Sequence, residues 1–264
     1  MSPMQRVKAH DLEFAYEFVG EGEPTVVVVP QWFLSSRSMR ASALVRRLAE
    51  NHRVLIYDRR GTGDSDKPGP PYTTARDSRD LGAMTEALAL DDVVVLGMGI
   101  RGSQVALHFT GHFPQRVRAL VCVGGTPRLA AGPEWPYGVG EQAWERAFGD
   151  LETREDPPPG ASFAMRDDWN AAGREAAIDI LAHTREEDLR PFLRKITPPT
   201  LVIHLSGDAL VPFDAARWLA EGLPNGTLEL FDAGREVPFN APGELAEHID
   251  AFLEATGSSR SGEA

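Results

Sequence analysis

Apolar runs rich in β-branched residues alternate with amphipathic segments along most of the chain. Runs dominated by apolar and β-branched residues occur at 25–29, 53–57, 93–96, 117–123 and 200–204. Runs of this length and composition are typical of strands buried on both faces of a sheet. Helical spacing of apolar residues occurs near 42–50, 74–88, 105–113 and 245–253. The alternation predicts an α/β fold with a mainly parallel, doubly wound sheet.

Three further segments depart from this pattern. Leu12–Val19 alternates between apolar and polar residues and predicts the arm of an edge hairpin, and Leu228–Phe231 predicts the last strand. Residues 128–190 contain prolines, scattered aromatic residues and short helical windows but no β-branched run. We therefore expect a core formed by 1–127 and 191–256, an inserted, mostly helical cap at 128–190, and a flexible tail at 257–264.

The composition and the net charge limit the kinds of partner that we expect for this protein. The net charge of −12 argues against nucleic acid and against an anionic membrane surface as partners, and it favours solubility. The single cysteine, Cys122, lies in an apolar run and cannot form an internal disulfide, which fits a reducing cytoplasm. Residues 1–10 lack the apolar region of a signal peptide, and no apolar run reaches 18 residues. We expect a cytoplasmic protein without a membrane span, and the oligomeric state stays open.

The segment 93–104 contains the most informative motif. Its apolar run ends at Gly97, turns within Met98-Gly99-Ile100, and enters an amphipathic stretch. A strand, a sharp turn and a helix form the context in which G-x-S-x-G presents a nucleophilic serine. The residue at the serine position is Gly99. Since glycine adopts the strained backbone of such a turn without penalty, the turn is predicted to survive without its nucleophile.

This motif and three other segments resemble the α/β-hydrolase superfamily. The segments are Asp58-Arg-Arg-Gly-Thr-Gly-Asp-Ser-Asp66, Trp135-Pro-Tyr-Gly138 and Ile196-Thr-Pro-Pro-Thr-Leu-Val-Ile-His204. They are similar to the branch of hydrolase domains associated with bacterial nucleotide cyclases, and the resemblance spans about 12–253.

The resemblance implies a catalytic triad whose serine, acid and histidine follow one another in that order along the chain. It places the acid on Asp208 and the histidine position on Arg235, next to a retained glycine. The oxyanion loop becomes Pro30-Gln31, and the backbone N–H groups of the hole belong to Trp32 and Ile100. The second glycine of the elbow is replaced by Arg101. The resemblance therefore implies a degenerate triad.

These replacements change the chemistry that the site can perform. Gly99 has no side chain with which to attack, and Arg235 stays protonated and cannot act as a general base. An acyl-enzyme route through this turn is closed, because nucleophile and base act as a unit. Ser35 and Ser36 follow the oxyanion loop and could face the pocket, although loop serines usually only form hydrogen bonds.

We expect Asp208 and Arg235 to pair, either as a structural ion pair or as a clamp for an anion or a carbonyl group. The amide hole can still stabilise an enolate or oxyanion without a covalent step. The sequence predicts substrate-binding residues at the oxyanion loop, the elbow and the cap: Gln31, Phe33, Arg101, Trp135, Tyr137, Trp144 and Trp169.

The leading hypothesis is a cofactor-free, non-hydrolytic enzyme of isomerase, lyase, cyclase or decarboxylase type. Its substrate would be a small, largely apolar, carbonyl-bearing metabolite. One alternative is a catalytically inert ligand-binding or regulatory pseudoenzyme. Another is a residual hydrolase that uses Ser35, Ser36 or water with a base from outside the family pattern. No phosphate loop or metal-ligand cluster is evident in the sequence, so we expect neither cofactor nor metal.

Overall fold

The computed structural model describes residues 4–150, 153–158, 163–232 and 242–260. Its strands are β1 Gln5–Ala9, β2 Leu12–Val19, β3 Val26–Val29, β4 Val54–Tyr57, β5 Val93–Met98, β6 Val117–Val123, β7 Thr200–Leu205 and β8 Gly226–Phe231. Its helices are α1 Ser36–Ala41, α2 Ala43–Leu48, α3 Thr74–Ala87, α4 Gly99–His112, α5 Glu141–Phe148, α6 Phe163–Ala172, α7 Arg174–Glu186, α8 Phe213–Gly222 and α9 Pro242–Arg260. Two short 3-10 helices lie at Pro114–Arg116 and Arg190–Lys195.

All eight strands belong to one sheet, in the order β1-β2-β4-β3-β5-β6-β7-β8. The pairs from β4 through β3, β5, β6 and β7 to β8 are parallel, whereas β1–β2 and β2–β4 are antiparallel. The prediction of a mainly parallel sheet is confirmed. The prediction that Leu12–Val19 is one arm of an edge hairpin is confirmed, and β1 at the edge of the sheet is the other arm. β1 is short and carries three polar residues in five, so it gave no apolar signal.

The apolar runs are buried on both faces of the sheet. Every residue of β3, β4, β5 and β7 is buried. One face packs against α3, α4 and α8, and the other packs against α1, α2 and α9. Two helical layers thus enclose the sheet, which is why these strands show continuous rather than alternating hydrophobicity.

Along the described part of the chain, the three helices α5, α6 and α7 follow β6 and precede β7. Their apolar residues pack with Trp32, Phe33 and Ile100 in a third apolar cluster, at the carboxyl end of the parallel strands. The helical content agrees with the expected cap, while the division into core and cap stays a prediction. None of the described helices has both the length and the apolar character needed to cross a bilayer.

The carboxyl-terminal helix is longer than expected. We expected a tail from residue 257, but α9 continues to Arg260, and 261–264 lie outside the described residues. Gly257 weakens a helix, yet it removes no backbone donor as proline would, so the helix can continue through it. Within α9, the Thr256 hydroxyl donates to the carbonyl oxygens of Phe252 and Leu253.

Candidate functional site

The carboxyl edge of the parallel sheet brings together loops that are far apart in the sequence. Val29 pairs with Gly97, and Met98 pairs with Val123, so β3, β5 and β6 end side by side. The residues that follow these three strands are Pro30-Gln31, Gly99 and Gly124. Ligands of open α/β sheets bind outside the carboxyl ends of the strands, and this edge is therefore the candidate site.

The predicted strand, sharp turn and helix are present at the centre of this edge. β5 ends at Met98 and α4 begins at Gly99, whose φ of +63° lies in the left-handed region that favours glycine. A Cβ on Gly97 would lie 2.6 Å from the Cα of Ser103, closer than real Cβ contacts allow. The turn therefore depends on glycine both for its backbone angle and for the close packing of α4 on β5.

The side chain of Gln31 occupies the space above Gly99. Its Oε1, Cδ and Cγ atoms all lie within 2.8 Å of the point that a Cβ on Gly99 would occupy. Gln31 is half-buried, and its carboxamide forms no hydrogen bond within the part of the chain that the structure describes. A side chain at residue 99 and the present position of Gln31 exclude each other.

The predicted oxyanion-hole residues, Trp32 and Ile100, directly follow Gln31 and Gly99 in the chain. Ile100 is fully buried in the first turn of α4, where a backbone N–H has no acceptor within its helix. Trp32 has a φ of +42°, and its loop is closed by the hydrogen bond from Leu34 N to Gln31 O at 2.9 Å. Their role as an oxyanion hole stays a prediction.

Asp208 lies in the loop after β7, beyond the end of β6. Its Oδ1 accepts the backbone N–H groups of Leu210 at 2.8 Å and Val211 at 3.1 Å. Its Oδ2 is 3.5 Å from the Cβ position of Gly124, which places the carboxylate at the same edge as Gly99. Arg235 lies outside the described residues, so the pairing of Asp208 with Arg235 stays a prediction.

The position of Arg101 differs from the prediction that it faces the pocket. Its side chain is fully buried, and its guanidinium donates to Asp77, to the hydroxyl of Thr74 and to the carbonyl of Tyr72. Burial lowers the pKa of Arg101, while the charge of Asp77 opposes that shift. Because its guanidinium is fully buried and bound inside the core, Arg101 is not exposed to a ligand at the sheet edge. No local pattern in the sequence indicates this contact, because Asp77 lies 24 residues away.

Asp77 is shared by a second buried arginine. Arg59 Nη1 donates to Asp77 Oδ2 at 2.6 Å, and Arg101 Nη2 donates to the same oxygen at 2.8 Å. The side chains of Arg59, Asp77 and Arg101 are each at most 1% exposed. One carboxylate thus pairs with two cations, and it links the loop after β4, helix α3 and the start of α4.

The predicted aromatic residues of the cap pack tightly in the structure. Trp32 stands edge-on to Phe148 at 5.1 Å, and Phe33 stands edge-on to Trp169 at 5.4 Å. Trp135, Trp144, Phe33 and Trp169 are buried, and Tyr137 is half-buried. These contacts hold α5 and α6 against the loop after β3, and a contribution to substrate binding stays a prediction.

Ser35 and Ser36 are buried among partners of their own. Ser35 Oγ donates to Asp168 Oδ1 at 2.5 Å, and Ser36 N donates to Asp58 Oδ1 at 2.5 Å. Burial raises the pKa of Asp58, while the N–H groups that it accepts oppose the rise. The hydroxyl of Ser35 is bound to a carboxylate without an imidazole between them, which does not favour Ser35 as a nucleophile.

Asp168 of α6 is a site residue that the sequence did not reveal. It also accepts Ser35 N at 3.1 Å and Ser38 Oγ at 2.5 Å, so one buried carboxylate holds the loop that follows Gln31 and Trp32. Its neighbours Arg166, Asp167 and Asn170 are also polar, so nothing in the sequence distinguishes Asp168 as the buried residue.

His108 and His112 form an aromatic stack. Their ring centroids are 4.3 Å apart, and both rings stack on Phe192. His112 Nδ1 is 2.9 Å from the carbonyl oxygen of His108. Within the described ranges, no group of three or more His, Cys, Asp or Glu side chains is placed to hold a metal.

We expect His108 to weaken the fold in acid. Burial lowers the pKa of His108 to about 4, with smaller contributions from His112, Arg79 and Lys195. Since the neutral ring is favoured in the folded state, its contribution is complete above about pH 6.5 and is lost as the pH falls toward 4. Allowing for its partial exposure, we expect about 1 kcal/mol of this loss between pH 7 and pH 4.5.

Urea unfolding at both pH values measures this effect. The His108→Gln variant should lose less stability on acidification than the wild type, and substitution of the exposed His10 by Gln serves as the control. Equal acid sensitivity of the His108→Gln variant and the wild type would contradict the prediction.

Comparison with known proteins agrees with this architecture. A family model described as the alpha/beta hydrolase fold matches residues 24–155, which include β3, β5 and the turn at Gly99. One methyl ester esterase is 30% identical to this chain over most of the length of both proteins. The chain belongs to the alpha/beta hydrolase fold family.

Within the alpha/beta hydrolase family, the similar proteins are named as enzymes. A pimeloyl-[acyl-carrier protein] methyl ester esterase of Aromatoleum aromaticum is 30% identical over 242 residues, which cover 82% of this chain and 92% of the esterase. A non-heme chloroperoxidase of Streptomyces lividans is 29% identical, over 70% of this chain and 75% of its own. The crystal structure of a bromoperoxidase from Bacillus anthracis superposes with a TM-score of 0.80 at 26% identity, covering 95% of this chain and 100% of that one.

Proposed function

We propose that this protein binds a small, largely apolar, carbonyl-bearing molecule at the carboxyl edge of its sheet and transforms it without forming an acyl-enzyme. The reaction would be of the isomerase, lyase, cyclase or decarboxylase type and would need no cofactor. The observation that carries the proposal is the turn at Gly99. Its backbone has the positive φ of a nucleophile elbow, while the carboxamide of Gln31 occupies the space where the side chain of a nucleophile would lie.

Each group at the edge would have a separate role. The backbone N–H groups of Ile100 and Trp32 would bind the carbonyl oxygen and stabilise it as it becomes an enolate or oxyanion. The carboxylate of Asp208 would handle a proton or a positive charge, and Arg235 would supply a permanent cation. The aromatic cap would exclude water. An ester-cleaving relative such as the Aromatoleum enzyme supports a carbonyl compound as the ligand class.

We expect no covalent modification by a fluorophosphonate probe and no burst with p-nitrophenyl butyrate. Without a nucleophile at residue 99, neither reagent can acylate or phosphonylate the turn. Intact-protein mass spectrometry and stopped-flow absorbance measure the two outcomes. Mass spectrometry can also identify a molecule that co-purifies with the protein. Prolonged incubation of the protein with that molecule would then reveal any product.

Variants distinguish the proposal from its alternatives. Stoichiometric labelling that disappears in Ser35→Ala or Ser36→Ala would instead establish a residual hydrolase. Tight binding of the co-purified molecule without any product would establish a binding protein. If the molecule is converted, Asp208→Ala and Arg235→Ala should each lower turnover about 100-fold or more. Exposed Asp214 serves as the control position, and unchanged turnover in both variants would contradict the assignment of the site residues.

A further inference from the structure

We propose that the carboxamide of Gln31 replaces the side chain that residue 99 lacks, and that it selects ligands in which a carbonyl oxygen lies next to an N–H donor, as in a lactam. The inference rests on the proposed function, because it concerns the ligand of the same edge. It assigns the recognition of the polar head to one side chain.

The first step is the position of Gln31. Gln31 reaches Gly99 from the loop after β3, the strand that pairs with β5 on the side opposite β6. Three consecutive side-chain atoms, Cγ, Cδ and Oε1, surround the absent Cβ of Gly99. The polar end of Gln31 therefore lies where a nucleophilic side chain would begin, beside the first turn of α4.

The second step is the hydrogen-bonding state of this amide. Gln31 is half-buried next to Trp32 and Ile100, which are both buried in the apolar cluster between cap and core. Its carboxamide has no hydrogen-bond partner among the described residues. A ligand that displaces water from this amide gains affinity only where it forms hydrogen bonds with both amide atoms in its place.

The third step is complementarity. A carboxamide has an acceptor oxygen and an NH₂ donor in one plane, about 2.3 Å apart as in any amide. The cis amide of a lactam offers the matching donor and acceptor side by side. A lactone of the same ring size offers acceptors only, so the Oε1 of Gln31 would stay unpaired against it. A site designed to hydrogen-bond an N–H discriminates strongly against an analogue that lacks it.

Three ring compounds of equal size test this proposal: ε-caprolactam, ε-caprolactone and cycloheptanone. We expect the wild type to bind the lactam at least about tenfold more tightly than the other two, as measured by calorimetry or by ligand-observed NMR. The Gln31→Met variant keeps the length and apolar bulk of the side chain and should bind all three equally. The exposed Gln115→Met variant is the matched control and should retain the preference.

Thermal unfolding verifies that Gln31→Met is folded, and Gln31→Ala provides a second variant if it is not. Any one of three results would overturn the inference. The first is that the wild type binds lactam and lactone equally, and the second is that it binds none of the three rings. The third such result is a lactam preference that survives in Gln31→Met. The proposed function fails in a different way, through labelling by the fluorophosphonate or hydrolysis of the lactone. The two failures are therefore distinguishable.

Discussion

Replacing Asp77 by alanine should lower the free energy of unfolding by about 3–5 kcal/mol, because it would leave two buried guanidinium groups without their shared carboxylate. Asp77 Oδ2 accepts Arg59 Nη1 at 2.6 Å and Arg101 Nη2 at 2.8 Å. Neither arginine can reach water without movement of α3 or α4, since both are at most 1% exposed. Urea unfolding at pH 7 measures the loss.

The Asp91→Ala variant is the matched control. Asp91 pairs with Arg116 at 3.0 Å, but its side chain is 78% exposed. Exposed pairs contribute about 0–1 kcal/mol, so this variant should remain close to the wild type. A loss below about 1 kcal/mol for Asp77→Ala would show that the buried charges are neutralised in another way.

The Asp77 cluster also explains how the turn after β5 accommodates an arginine at the position that the resemblance assigns to a second glycine. Arg101 follows Gly99 by two residues, and its long side chain leads away from the sheet edge to Asp77, Thr74 and Tyr72. The charge of Arg101 thus lies in the core rather than at the candidate ligand site. The candidate ligand groups of the described chain are thus the neutral amide of Gln31, the backbone N–H groups and the carboxylate of Asp208.

The strands of the sheet and the turn at Gly99 could be predicted because their signals are local. β3, β5 and β6 each need a run of apolar residues to be buried on both faces, and those runs are visible in the sequence. A glycine within the sharp turn that follows such a run indicates a strained backbone angle, and Gly99 has a φ of +63°. The parallel order of the strands follows from the helices between them.

The direction of individual side chains could not be predicted, because it depends on residues that are distant in the sequence. Arg101 meets Asp77 across 24 residues, and Ser35 meets Asp168 across 133 residues. The contact between Gln31 and Gly99 joins two loops that are adjacent only after β3 and β5 have paired. A sequence pattern shows that a polar residue lies near a buried edge, but the partner is decided by the tertiary fold.

Replacing Asp168 by alanine should have the second large effect, about 3 kcal/mol of lost stability together with weaker ligand binding. Three donors would lose their acceptor at once: Ser35 N, Ser35 Oγ and Ser38 Oγ. All of these groups are buried, so water cannot replace the carboxylate without opening the packing between α6 and α1. The estimate is smaller than the sum of three separate losses because neighbouring effects are not additive.

The adjacent residue provides the control for this prediction. Asp167 is exposed on the same helix, and Asp167→Ala should change stability by less than about 0.5 kcal/mol. The Asp168→Asn variant keeps one acceptor oxygen and should lie between the wild type and Asp168→Ala. Urea unfolding gives the stabilities, and calorimetry with ε-caprolactam gives the effect on the ligand site.

The combination of the two measurements shows what Asp168 does. The loop that Asp168 holds begins directly after Gln31 and Trp32, so a loosened loop would displace the Gln31 carboxamide from Gly99. The lactam preference should then fall in Asp168→Ala even at temperatures where the variant remains folded. If stability falls while the preference stays intact, Asp168 fastens the cap without positioning Gln31. If both fall in parallel from wild type through Asn to Ala, the cap helix and the recognition of the ligand are coupled through this one carboxylate.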